Sequence, residues 1–201
     1  MKEIFNKIWE LALPYQDKRD DAGHAKTSLK YALKLVDLEK GNEDVVIPAI
    51  ILHDVGWSQL PEERRLIIFD PRASEENKRE VQLEHQTESV KLAVKILRKV
   101  NYSPELTDEI LEIISQHDTR KGFISKNEGI VRDADKLWRT SKEGFTASEA
   151  RAKKREAKRF KLIEEGLNKA DYIYSKTARQ IALADLKYWE KQKRHDEASN
   201  S

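Results

Sequence analysis

Four of the five histidines stand at the edges of apolar helical patterns rather than on charged stretches. His24 opens one such pattern. His53 closes the most hydrophobic run in the chain, with Asp54 directly after it. His85 precedes the stripe Val90, Ala93, Val94 and Leu97. His117 continues Leu106, Ile110 and Ile113 by four residues, which turns it toward the core. A buried imidazole needs partners for both ring nitrogens, and a buried carboxylate needs a compensating charge. Asp54, and Asp133 and Asp135 among Val131, Ala134, Leu137 and Trp138, are therefore costly unless something pairs with them. Any one of these residues alone reads more readily as a satisfied core histidine, a helix cap or a salt-bridge partner. Their coincidence in the order His, His-Asp, His, His, Asp favours a shared divalent cation. Neutral imidazole and ionised carboxylate are both good ligands for one.

The elements that must position these groups are helices, because helical periodicity dominates and no strand alternation is convincing. Ile4, Phe5, Ile8, Trp9 and Leu11 mark a first helix within residues 1–14. A second begins near Gly23, carries Leu29, Leu33 and Val36, and stops around Glu39-Lys40-Gly41-Asn42, where Gly and Asn favour left-handed geometry. Val45-Val46-Ile47-Pro48-Ala49-Ile50-Ile51-Leu52 reads as a short helix buried on most faces and ending in His53-Asp54. Pro48 argues against a central strand and fits a helix's first turn. Residues 56–80 read as a loop with a short helix, a length that often lies over a site. Further helices are expected over about 80–100, 104–117 and 130–139. Two charged ones follow within 148–193, divided near Gly166-Leu167-Asn168. The expected fold is an all-α single-domain helical bundle over residues 1–195, with a metal-binding core at about 20–140, two additional C-terminal helices and a frayed tail at 196–201.

Composition narrows the chemistry. Charged residues make up 37% of the 201 and apolar ones 38%, yet the net charge is only +2. That balance suits amphipathic helices with salt-laced faces and argues against a nucleic-acid partner. The basic run from Arg151 to Arg159 is interspersed with Glu156 and reads as a solvated helix face. Tyr172, Tyr174, Tyr188 and Trp189 read as packing residues rather than a base-stacking platform. There is no cysteine, so thiolate metal sites, disulfides and cysteine nucleophiles are absent. Nothing approaches the roughly 18 apolar residues of a membrane span, and the N-terminus lacks the continuous apolar centre of a signal peptide. A soluble cytoplasmic protein with no membrane partner is expected.

Gly23-His24, Ala49-Ile50-Ile51-Leu52-His53-Asp54-Val55-Gly56 and Asp133-Ala134-Asp135-Lys136-Leu137 together resemble the HD-domain superfamily, over about residues 20–140. The spaced His, His-Asp and Asp with an apolar run before the pair carries that likeness. The second dipeptide, His117-Asp118, does not, and only His117 of it is expected to be a ligand. The resemblance implies an HD-type helical fold and metal-dependent cleavage of phosphate esters. It assigns His24, His53, Asp54 and Asp135 as the basic ligand set, with Asp133 beside a ligand rather than being one. His85 and His117 match branches that bind two metals, in which Asp54 would bridge. One or two divalent ions are implied: Fe, Mn, Zn, Co or Ni, with Mg compatible. Two cations about 3.5–4 Å apart would activate a shared water and neutralise phosphate oxygens. That makes Asp54 the central catalytic residue and agrees with the absence of an evident Ser-His nucleophile. Arg120, Lys121, Lys136 and Arg139 are the sequence-nearest candidates to bind the phosphate. Some branches carry a Lys shortly after the His-Asp pair, where this chain has Gly56-Trp57.

The expected partner is therefore a small phosphorylated substrate such as a nucleotide, and a homo-oligomer could form through the C-terminal helices. Two other functions share the ligand pattern. A di-iron oxygenase of the HD type uses the same ligand order to activate O₂. A non-catalytic, metal-stabilised sensor or interaction module would keep the site for stability alone.

Overall fold

The computed structural model describes residues 1–19, 21–151, 163–169 and 171–199. Along the chain run helices α1 (Glu3–Ala12), α2 (His24–Glu39), α3 (Glu43–Leu52), α4 (Glu62–Leu66), α5 (Glu75–Lys99), α6 (Pro104–Gln116), α7 (Lys126–Leu137), α8 (Lys142–Arg151) and α9 (Lys176–Ser199), joined by short 3₁₀ turns. Among the described residues no strand occurs, and the fold is all-α.

The most apolar run becomes the centre of the bundle. Every residue of α3 from Val45 to Leu52 is buried, and the helix packs against α1, α2, α5, α6 and α7. Asn42 caps its start by accepting the Asp44 N–H. Pro48 lies in the interior of α3 rather than in its first turn. It lacks the N–H that would bond the Asp44 carbonyl one turn back. That carbonyl is instead taken by the Tyr102 hydroxyl, which donates to it at 2.6 Å. A neighbour outside the helix thus supplies the bond that proline cannot make.

Capping explains several departures from the expected boundaries. Ser74 accepts the Asn77 N–H, so α5 begins at Glu75 and runs 25 residues, well before the expected 80. Ser125 accepts the Glu128 N–H and starts α7 at Lys126 instead of 130. The stretch read as a loop is largely helical: a 3₁₀ turn at Val55–Gln59, then α4, then a second 3₁₀ turn at Ile67–Phe69. Its Trp57 and Leu60 pack on Val81 of α5 in a small core of their own.

C-terminally, α8 starts at Lys142, ahead of the expected 148, and residues 163–167 are helical, so the chain does break near Asn168. The basic run expected at Arg151–Arg159 lies almost wholly outside the described residues. Helix α9 packs on α2 and α7, where the Tyr31 hydroxyl donates to Asp185 at 2.8 Å. It continues through Ser199, so residues 196–199 of the expected frayed tail are helical. Leu33, read as a core position of α2, is 38% exposed, and Tyr188 is more exposed still. Among the described residues no helix is long and apolar enough to cross a membrane.

Candidate metal centre

Each histidine is delivered by a local device. Gly23 adopts left-handed geometry (φ 86°), and Asp17 accepts the N–H groups of Gly23 and Ala25 at 2.8 and 3.0 Å. Together they start α2 with His24 facing inward. His53 follows the last turn of α3, and its Nδ1 donates to the Ile50 carbonyl at 2.8 Å. His117 repeats the arrangement after α6, with Nδ1 donating to the Ile114 carbonyl at 2.9 Å. A carbonyl can only accept, so Nδ1 carries the proton in both rings and Nε2 points into the centre. His85 sits on α5 beneath the turn Val55–Gln59. There the Gly56 N–H donates to Ser89 Oγ at 2.9 Å, and a Cβ on Gly56 would lie 2.0 Å from the His85 carbonyl oxygen. Only glycine permits that approach. It lays the Trp57 ring flat on His85, with centroids 3.9 Å apart and an interplanar angle of 9°.

The side chains form two groups that share Asp54: His24, His53, Asp54 and Asp135, and then Asp54, His85 and His117. In the first, His24 Nε2 is 3.2 Å from His53 Nε2, 3.3 Å from Asp54 Oδ2 and 3.4 Å from Asp135 Oδ1. His53 Nε2 is 3.6 Å from each of the same two oxygens. In the second, His85 Nε2 and His117 Nε2 are 3.4 Å apart and stand 3.5 and 3.3 Å from Asp54 Oδ1. Asp54 thus turns one oxygen to each group. Nitrogen and oxygen ligands at about 2.0–2.2 Å around a tetrahedral cation lie roughly 3.3–3.6 Å from one another. The observed spacings match, and the residues fit a divalent ion.

The electrostatics agree. Burial lowers the pKa of His24 and of His85. Burial also opposes protonation of His53, but Asp54 and Asp135 outweigh it and raise that imidazole to about 9. His117 is likewise raised, by Asp118 and Asp54 against its burial. Burial would push Asp54 and Asp135 up, yet the imidazoles, with Arg19 on Asp54, hold both well below the usual carboxylate range. Paired Nε2 atoms at such distances require something positive between them, a proton or a metal cation.

All six expected ligands are therefore brought together, while the expected phosphate binders separate. Lys136 is partly buried, with its ammonium 5.2 Å from the Tyr172 ring. Its pKa falls to about 8, chiefly by burial and then by Arg132, while Asp135 counteracts. Arg139 is exposed, and Tyr172, then Asp135, Asp118 and Asp54, raise its pKa. Arg120 is turned away, paired with Glu112 and with the buried Glu128 at 3.0 Å. Lys121 is exposed on the following turn. Asp133 faces away from the centre and accepts the backbone N–H groups of Tyr174 and Ser175 at 2.7 and 2.9 Å. It tethers the segment before α9 and does not buttress a ligand.

Other residues at the centre gave little sign of themselves in the sequence. Arg19 is buried, with Nη2 3.4 Å from Asp54 Oδ2, Nε 3.4 Å from Asp21, and the guanidinium 4.6 Å over the Trp57 ring. Nothing in its context, Lys18-Arg19-Asp20-Asp21, separates it from surface charge. Trp57 was visible only as the residue that follows Gly56. Trp138 sets its edge on His24, with centroids 4.9 Å apart. Asp118, half of a dipeptide from which only the histidine was expected, also points inward.

The family model for the HD domain matches residues 21–140. No curated protein matches the chain. Among solved structures, the fold is similar to the 1.45 Å crystal structure of a predicted HD superfamily hydrolase from an uncultured Thermotogales bacterium, with a TM-score of 0.64. The match covers 99% of this chain and 92% of that one, at 17% identity. At that identity the likeness is one of fold.

Proposed function

This chain belongs to the HD-domain family, and from that premise we propose that it is a metal-dependent phosphohydrolase that cleaves a nucleotide or another small phosphate ester. The observation that carries this reading is the division of Asp54 between two donor groups, each with ligand-to-ligand spacings suited to a divalent cation. His24, His53, Asp54 and Asp135 would hold one ion, and Asp54, His85 and His117 would take part in holding a second. Bound there, such ions would supply an acidified water and neutralise phosphate oxygens.

The protein's own groups do the rest. The carbonyls of Ile50 and Ile114 fix the His53 and His117 tautomers, so both Nε2 lone pairs are preset. Trp57 and Trp138 wall the imidazoles and keep bulk water from them. Arg19, held by Asp21 and over the Trp57 ring, is a fork beside Asp54 for phosphate oxygens that the ions do not reach. Lys136 and Arg139 add positive charge from the α7 side. Arg120 is paired with Glu112 and Glu128, and no substrate contact is assigned to it.

The test is turnover of a phosphate-ester panel by chelator-stripped protein reloaded with Mn²⁺, Fe²⁺, Co²⁺ or Mg²⁺. Activity with at least one ion, lost in Asp54→Ala, is expected. Cleavage no greater than that of the variant with every ion would sink the proposal, and substrate-dependent O₂ uptake by the iron form would replace it with an oxygenase.

A further inference from the structure

Asp54, His85 and His117 offer three donors around the second position, one fewer than the first group has. We propose that Asp118 is the fourth protein ligand there, so that each cation is held by two imidazoles and two carboxylates with Asp54 common to both. The inference rests on the two-cation reading above.

Asp118 Oδ2 lies 3.7 Å from His85 Nε2 and 3.9 Å from His117 Nε2. Asp54 Oδ1 stands 3.5 and 3.3 Å from the same two nitrogens, so the imidazole pair is flanked by two carboxylates. Measured to His85 and His117, Asp118 exceeds tetrahedral spacing by a few tenths of an ångström; it stands farther from Asp54, so a side-chain rotation toward the imidazole pair is needed to complete the set. Its backbone does not need to move, because it is already fastened. The Asp118 N–H donates to Gln86 Oε1 at 3.1 Å, and Gln86 Nε2 donates to Thr119 Oγ1 at 3.2 Å. Gln86 is 1% exposed and adjoins His85. The residue after one ligand therefore clamps the residue after the other.

Charge supplies the second argument. The Asp118 side chain is 16% exposed, and among the described residues no lysine or arginine nitrogen comes within ion-pair distance of it. Arg120, two residues on, is engaged with Glu112 and Glu128. A cation seated between His85 and His117 would then be the positive charge nearest to this largely buried carboxylate, and direct ligation gives Asp118 that partner at the shortest distance.

The experiment measures metal binding alone. The chelator-stripped 201-residue chain, Asp118→Ala and Asp118→Asn are titrated with Zn²⁺ by calorimetry. Elemental analysis then counts ions per chain, and circular dichroism of the metal-free proteins checks the fold. Two ions in the wild type are expected. In both variants the first ion keeps its Kd within about threefold, while the second weakens by more than the roughly 10–100-fold that loss of an outer partner costs. If Asp118→Ala does not fold, the isosteric Asn variant decides by the same threshold. Two ions in the variants, with the second weakened by no more than about 100-fold, would overturn the role of Asp118 and leave the two-cation reading standing. A single ion in the wild type would overturn both.

Discussion

The helix that ends in His53-Asp54 depends on a hydroxyl from outside it, and the dependence can be measured. Tyr102→Phe removes the donor to the Asp44 carbonyl that Pro48 leaves bare. An unmade buried hydrogen bond costs about 1–3 kcal/mol. Tyr102 is only partly buried, so water can reach part of that surface, and the expected loss lies in the lower half, about 1–2 kcal/mol. Pro48→Ala restores an N–H in line with the same carbonyl, and in that background Tyr102→Phe should cost less than about 0.5 kcal/mol. The double-mutant cycle then yields a coupling of about 1 kcal/mol. Urea denaturation of the four metal-free proteins, followed by circular dichroism, reads it directly. On heating, the single change should lower Tm by about 2–8 °C for a chain of this length. Equal losses in the two backgrounds would show that the hydroxyl does not serve that carbonyl, and the reasoning would fail.

Four further outcomes are expected. Zn²⁺ binding at pH 7 should release about one proton from His53, seen as a calorimetric enthalpy that varies with buffer ionisation heat; no such variation would contradict its raised pKa. The sign follows from that shift: in the metal-free protein, protonated His53 stabilises the fold fully below about 6.5, and the gain is lost as pH rises through about 9, while Zn²⁺ affinity climbs as pH rises toward about 9. Gly56→Ala places a methyl against the His85 carbonyl and Ser89, and should cost about 3 kcal/mol or more in denaturant unfolding. Asp133→Asn should lower stability by about 1–2 kcal/mol through Tyr174 and Ser175 while leaving the ions per chain unchanged, whereas Asp135→Asn should weaken metal binding. On any ester that is cleaved, Arg19→Ala should raise KM by about tenfold or more, while Arg120→Ala should leave KM alone and lower Tm.

What the sequence made legible follows from range. His24, His53, Asp54, His85, His117 and Asp135 each sit at a helix end or on an apolar stripe, so local periodicity turns all of them inward. Helix existence was legible for the same reason. Starts were less so, because the Ser74 and Ser125 caps precede patterns whose first turns are polar. The long segment 56–80 hid its turn because the partner of Gly56 is Ser89, on another helix. The partners of basic residues are harder to read. Arg120 follows His117 by three residues, but its partner Glu128 lies a further eight along, beyond what a local pattern shows. Arg19 and Asp118 failed in the opposite direction: their neighbours look like surface, and only the folded chain brings them to Asp54 and His85. Pro48 is the same lesson inside a helix, since the hydroxyl that tolerates it comes from residue 102.

The complete burial of α3 also bears on how the protein breathes. Local opening draws on segments with little buried apolar contact, and a helix buried from Val45 to Leu52 belongs to the opposite extreme. The amides leading to His53 and Asp54 should exchange with solvent deuterium only at rates near global unfolding. The walls of the centre are less deeply rooted: residues 16–19 before α2, and residues 118–122, which are held by side chains such as Gln86, Glu128 and Arg132. An ion or substrate would therefore come and go by fluctuation of these walls around an immobile post, with Asp54 standing at its tip.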